Sequence, residues 1–446
     1  MPRSTRKLCN TCRQRKLKCD EVHPICHRCA KAQRYCDRSE RQLKSYSMRS
    51  IYAEKSSPLN DHPREALESP TLATYFRHYI DHVAPWYDLS DEHCHFRTVI
   101  PRIALDEPLM FHAIIALSAM VMSHTIDPPA RLIAETYHAS CIRRLIDLGP
   151  EDVLVMKDVA LATTCLLRSY EILAETRDPN RHLQGAFSRA SQILDVFNDP
   201  SEGIFYSGFW NYLRQDITLS LLEKCPLKID LNGIIPLDGF KSDQAHLDAI
   251  TLILGQAVNA MIGSTAQKVH ERWCILSSSL QRWVAGSPRH FQPVSRSILP
   301  LTRLPIVHMR KTCHVASRYY CLVSFAALAT RGTPSQVGLL MTIAVYGGLV
   351  VNIMKTKEDI IRTKEDLLEQ IGLEICGVAF TSNDPSVLVN AFGPISYCAR
   401  YIRDEASQQE VLRRLMASKK VTGWPVEKIA AELQGYWTRV ALFRNE

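Results

Sequence analysis

A small cysteine-rich unit followed by a large all-α body is the architecture this 446-residue sequence predicts, and three observations carry it. Six of the 15 cysteines crowd into residues 9 to 36. Residues 1 to 50 hold 14 Lys+Arg against 4 Asp+Glu, a local +10, so the chain's net +8 is the property of one terminal segment and the remainder is slightly acidic. Glycine is scarce, 18 of 446, about 4% against a usual 7%, which argues against glycine-rich phosphate loops and turn-dense β folds. A localised basic segment seeks polyanions, and 46% hydrophobic with 22% charged residues is globular composition that excludes wholesale disorder.

The N-terminus runs Met1-Pro2-Arg3-Ser4-Thr5-Arg6-Lys7 into the cysteines with no apolar stretch, so no secretory signal is read and the thiols are expected to meet a reducing compartment. There a cysteine cluster is a metal site before it is a disulfide framework. The nine scattered cysteines, from Cys94 to Cys398, are expected to pack as small hydrophobes.

The cluster is a repeat. Cys9-x2-Cys12-x6-Cys19 recurs as Cys26-x2-Cys29-x6-Cys36, displaced by 17 positions, and predicts two short helices related by a pseudo-two-fold. Zinc prefers four thiolates in a tetrahedron. Two ions therefore share six cysteines only if two of them bridge, and by the symmetry of the repeat Cys9 and Cys26 are the natural bridges. One zinc with two spare thiols is the alternative. Between Cys12 and Cys19 lie Arg13, Arg15, Lys16 and Lys18, four cations in six residues, whereas the equivalent stretch of the second half has Lys31 and Arg34 alone. The first helix is thus expected to face double-stranded DNA, where Lys and Arg donate to guanine edges and to phosphates.

On all six cysteines, the Arg13-x-Arg15-Lys16-x-Lys18 string and Pro24, residues Leu8 to Arg38 resemble the fungal binuclear zinc cluster family of transcription regulators. The resemblance implies that Cys9 and Cys26 bridge two structural zinc ions, that Cys12 and Cys19 complete one and Cys29 and Cys36 the other. It also implies that Lys16, with Arg15 beside it, reads a CGG-type triplet, in a nuclear, DNA-binding regulator of RNA polymerase II transcription. Two dications on six thiolates carry −2, which lowers the module's +10 to +8.

The expected domains are residues 1–40 (cluster), 41–70 (polar linker with Ser56-Ser57-Pro58 and Asp61-His62-Pro63) and 71–446 (all-α). Leu43, Tyr46, Ser50 and Tyr52 do not sustain a coiled coil, so a monomer and a homodimer formed through the large domain both stay open. In the body, Asp127-Pro128-Pro129 is a helix start, followed by an apolar stripe of Ile133, Tyr137, Cys141 and Leu145. Helical runs are read at 108–122, 159–173, 183–194, 209–222, 315–330 and 408–415, and a proline-broken connection from Ser287 to Pro305 divides the body in two, with a single core shared by both halves left open. Ala84-Pro85-Trp86 with His95-Phe96, Leu105 to Ala119, Leu166 to Glu171, His182 to Ala186, Phe209-Trp210 with Leu213 to Ile217, and Gly423-Trp424-Pro425 resemble the helical regulatory domain of fungal transcription factors. This implies an all-α domain that modulates activity through an effector or co-regulator.

Ala249–Gln267 and Val337–Met354 lack charge over nearly a spanning length, but polar interruptions make them buried helices, and no membrane partner is expected. No Gly-x-Ser-x-Gly elbow, P-loop or His-Glu-x-x-His helix is present, so no enzyme is read. His78, His82, His93, Cys94 and His95 are taken as core or amphipathic histidines rather than a second metal site, and Arg214 with Asp216 as a structural charged pair. The alternative function is a zinc-dependent protein-interaction or RNA-binding adaptor.

Overall fold

Proline sits at the start of helix after helix: its missing N–H is one the first turn leaves unbonded anyway, and its fixed φ already suits a helix. In the computed structural model, which describes residues 12, 19–20, 26–32, 62–148, 156–175, 203–231, 234, 242–261, 266–349 and 364–444, such helices begin at Pro63, Pro70, Pro108, Pro334 and Pro385. The chain divides into two compact units, Met1–Leu59 and Asn60–Glu446. In the first unit the described backbone contains α1 (His27–Lys31), with Cys12 in helical backbone as well.

After the short helix at Pro63, the longer helices of the second unit begin with α2 (Pro70–His78), α3 (Pro108–Thr125) and α4 (Ala130–Asp147). Helix α3 is apolar on all sides, as a helix at the centre of a core must be; it packs on α2, α4 and α5 (Lys157–Leu173). Among the described residues it is the one helix long and apolar enough to cross a membrane, and 78% of it is buried by its neighbours, which makes it a core helix. The two charge-free stretches singled out by sequence are helical over most of their described residues. The described part of the first, through Met261, is buried in helix, and the second is helical through Tyr346. The buried stripe of α4 runs through Ala130, Ala134, Tyr137 and Cys141. Ile133 and Leu145 are only half-buried, because the helix turns its small alanines toward α3.

Helix α6 (Ile204–Glu223) packs on α5. Helices α7 (Asp243–Met261) and α8 (Ala266–Gly286) lead to the proline-rich connection. There the all-α expectation meets an exception: β1 (Ser295–Ile298) and β2 (Pro305–His308) form an antiparallel hairpin with Ser295 opposite His308 and Ile298 opposite Pro305. Four-residue strands carrying proline at an edge give almost no alternating pattern to read. Then follow α9 (Thr312–Arg331), α10 (Pro334–Tyr346), α11 (Lys364–Ser382), α12 (Pro385–Cys398), α13 (Glu405–Thr422) and α14 (Glu427–Arg444). The connection does not split the core. Helix α12 packs on α6 from the earlier half as well as on α9 and α11, and α13 reaches back to α3.

Two close approaches fix this arrangement. Gly377 on α11 lets β2 lie against the helix, since a Cβ there would stand 2.3 Å from the Pro305 carbonyl oxygen. Gly423 ends α13 in the left-handed conformation, φ 69°, where an L side chain is strained. Its carbonyl bonds the His124 Nδ1 at 3.0 Å, and Trp424 packs edge-on to Trp86 at 6.4 Å. The predicted run at 183–194 and the His182 to Ala186 segment lie outside the described residues.

Candidate metal centre and nucleic-acid interface

Helix α1 is built from its cysteines. Cys26 is the N-cap, extended at φ −68° and ψ 146°, and its sulfur accepts the Cys29 N–H at 3.4 Å. This is the role Ser or Asp ordinarily fills, and it turns the Cys26 and Cys29 sulfurs to the same side. Asp20, directly after Cys19, accepts the His27 and Arg28 N–H groups at 3.2 and 3.3 Å. A carboxylate on the first amides of a helix satisfies donors that have no intrahelical partner, and this one ties the end of one repeat to the helix of the next. Sequence reading passed over Asp20; its place beside Cys19 was the available signal.

The sulfurs converge. Cys12, Cys19, Cys26 and Cys29 form a buried cluster of their own. The Cys12 sulfur is 3.7 Å from that of Cys26 and 3.9 Å from that of Cys29, and those of Cys12, Cys19 and Cys26 all lie within 4.8 Å of one another. Cys26 is wholly buried. The Cys29 N–H bond favours its thiolate, but burial and the neighbouring thiols of Cys29, Cys12 and Cys19 outweigh it and push the thiol up to about 12. So many crowded sulfurs favour protons or a cation among them, and a coordinated dication deprotonates thiols outright. The donor set therefore fits zinc, held structurally by four sulfurs per ion with no open position for chemistry. Of the residues the sequence singled out, Cys12, Cys19, Cys26 and Cys29 are brought together here. Cys9, Cys36, Arg13, Arg15, Lys16 and Lys18 lie outside the described residues.

Residues 7–46 match the fungal Zn(2)-Cys(6) binuclear cluster domain, and residues 74–201 match the fungal specific transcription factor domain. The chain belongs to the fungal binuclear zinc cluster transcription factors. Such a cluster takes two zinc ions. Relatives agree: a transcriptional regulatory protein of Schizosaccharomyces pombe is 30% identical over 316 residues, 68% of this chain and 54% of that protein. A transcription activator of Alternaria alternata is 71% identical over 28 residues, 6% of this chain and 4% of that one. The chain thus spans about half the length of the first relative and a small part of the second. No solved structure matches it.

In the regulatory body of this zinc cluster protein, the charges read from sequence have other partners than expected. Arg214 and Asp216 are both buried but do not pair, because residues two apart on a helix point away from each other. Arg214 donates to Ser90 Oγ at 2.6 Å and Asn211 Oδ1 at 2.9 Å. Asp216 accepts the Lys228 and Ile229 N–H groups at 2.7 and 3.1 Å and faces Arg168 at 3.7 Å. These are interior struts that tie α6 to the segments on either side.

The five candidate ligands near residue 90 do not gather either. His78 bonds Ser118 at 3.0 Å and burial lowers it to about 4, while His95 is held by Asp91 at 2.8 Å. Of the scattered cysteines, Cys141, Cys165, Cys321, Cys376 and Cys398 are buried, whereas Cys225 and Cys274 are exposed. A groove of about 1040 Å³ runs between the start of α11, α13 and α14, with Arg400, Tyr401 and Trp437 in its wall.

Proposed function

We propose that this chain is a nuclear, sequence-specific regulator of RNA polymerase II transcription that binds duplex DNA at a CGG-type element through its two-zinc cluster. The observation that carries the reading is the convergence of the Cys12, Cys19 and Cys26 sulfurs within 4.8 Å, with the Cys29 sulfur 3.9 Å from that of Cys12, inside the segment matched to the zinc cluster family. Cys26, N-cap of α1 and neighbour to both halves of the repeat, suits a bridge between ions. On this reading Cys9 and Cys26 bridge, Cys12 with Cys19 complete one ion and Cys29 with Cys36 the other, in a pseudo-two-fold pair of helices.

Lys16 and Arg15 then reach guanine edges, while Arg13 and Lys18 contact phosphate. Residues 1–40 form the DNA-binding module, 41–70 a linker and 71–446 a helical domain that modulates transcription through an effector or co-regulator, in control of a metabolic or secondary-metabolite pathway. A regulator rather than an enzyme fits both matched domains.

Selection from random duplexes with the full chain tests this. Enrichment of a CGG triplet is expected, with Lys16→Ala relaxing that preference, and loss of one phosphate contact lowering the salt slope by about one unit while weakening every sequence alike. Equal binding to RNA or to any duplex overturns it. Sedimentation with one-site and two-site DNA distinguishes monomer from dimer.

A further inference from the structure

Away from the cysteine cluster, a second group of metal-ligating side chains is assembled from parts of the chain far apart in sequence. Asp243 stands at the start of α7, His290 in the 3-10 turn Arg289–Phe291 beyond α8, and Cys313 and His314 in the first turn of α9. The carboxylate is the hub. His290 Nε2 lies 2.7 Å from its Oδ1, and His314 Nε2 lies 2.9 Å from its Oδ2. The donor atoms of Asp243, Cys313 and His314 all fall within 4.8 Å of one another. The His290 and His314 rings sit 5.2 Å apart. The His314 side chain is 1% exposed, Asp243 14% and His290 42%, so the group is walled on one side and open to solvent on the other.

We propose that Asp243, His290, Cys313 and His314 form a zinc-type site in the helical body, separate from the DNA-binding cluster. Zn2+, itself of borderline softness, accepts imidazole, thiolate and carboxylate alike, and two imidazoles, one thiolate and one carboxylate make up the four donors of a closed tetrahedron. Bonds of about 2.0 to 2.3 Å at tetrahedral angles put donors roughly 3.3 to 3.6 Å apart. The carboxylate–imidazole contacts open by about half an ångström to reach that spacing, and the thiol closes inward. Lys311 Nζ holds Asp243 Oδ2 at 2.8 Å, but its side chain is 64% exposed and its flexible stem lets it swing into water, leaving the ion as the counter-charge. Binding releases the Cys313 proton to solvent, and both histidines bind as neutral imidazoles.

The His314 Nδ1 has no hydrogen-bond partner among the described residues. An outer partner on a ligating histidine is ordinarily worth 10- to 100-fold in affinity, so this ion is held less tightly than the all-thiolate pair and a chelator removes it first. Bound, it ties together the leading ends of α7 and α9 and the turn that enters the hairpin.

The test is zinc content of the purified full chain, by elemental analysis after dialysis against micromolar zinc. Wild type is expected to hold one equivalent more than His290→Gln or Cys313→Ser, with gel shift and helix content equal in all three. In the cobalt-loaded chain, Cys313→Ser is expected to remove one set of thiolate charge-transfer bands. Equal zinc in wild type and both variants overturns the proposal. A variant that fails to fold is replaced by graded chelation of wild type, where loss of one equivalent with DNA binding intact supports the site, and loss of zinc only together with DNA binding refutes it.

Discussion

Replacing Glu374 by glutamine removes the charge at the centre of a buried ionic group while keeping its shape. Its carboxylate receives Arg318 Nε and Nη2 at 3.0 and 2.7 Å and Arg296 Nη1 at 2.6 Å, and its side chain is 2% exposed. The two arginines fare differently without it. Arg296, on β1, is 25% exposed and can turn to water, but Arg318 is 3% exposed and cannot. Uncompensated burial of such a charge costs about 3 to 5 kcal/mol. Arg318 keeps the Gly348 and Leu349 carbonyls at 2.8 and 3.0 Å, which places the expected loss for Glu374→Gln near the lower limit, about 3 kcal/mol.

At about 2 cal/mol/K per residue, a body of residues 60–446 unfolds with an entropy of about 0.8 kcal/mol/K, so the melting temperature falls by about 4 °C. Differential scanning calorimetry of the full chain reads the shift. Proteolysis should become faster within residues 295–308, because Arg296 is a tie between the hairpin and α11. The double variant Arg318→Met, Glu374→Leu, which deletes both charges, should lose less than Glu374→Gln alone. A shift below 1 °C for Glu374→Gln, or a double variant worse than the single one, refutes the argument.

Burial pushes Asp248 up to about 7 despite the pull of Arg214, whereas an unfolded aspartate ionises near 4. The native state thus keeps a proton the unfolded chain has lost, and this stabilisation, at most about 4 kcal/mol, is full below pH 4 and drains away as pH rises through 7. Denaturation midpoints measured from pH 5 to 8 should fall more steeply for wild type than for Asp248→Asn, and parallel curves would count against the burial argument. Gly377→Ala drives a methyl into the Pro305 carbonyl oxygen at 2.3 Å, and overpacking of this kind costs about 1 to 3 kcal/mol; an unchanged melting temperature would show that the hairpin yields freely. Cys26→Ser, or chelation, should abolish binding to CGG-containing duplexes while the calorimetric transition of the body persists, and retained binding would contradict a zinc-dependent interface.

The cysteine repeat was legible because metal coordination is written in short intervals: residues 3, 7 and 10 positions apart must already know where their sulfurs go. The long helices were legible too, since α3, α5, α6 and α9 are long, largely apolar runs with no proline inside them. What was not legible is assembled over distance. Asp243 and His314 are 71 residues apart, and no local pattern connects them. The histidines near residue 90 are dense in sequence, yet His78 bonds Ser118 and His95 is held by Asp91, because closeness along a chain does not aim rings at one point. Arg214 and Asp216 misled in the same way: opposite charges two residues apart on α6 suggested a pair, and helical geometry sent them to separate partners.

The bond from His124 to the Gly423 carbonyl spans 299 residues, and this distance sets a clock on biosynthesis. Helix α3 leaves the ribosome early, whereas the Trp424 segment that closes the core around Trp86 comes much later. At 5 to 20 residues per second, some 15 to 60 seconds separate the two events. Through that interval this apolar core helix waits with its cover unfinished, a client for holding chaperones, and a messenger cut short before codon 424 yields a product that cannot seal itself.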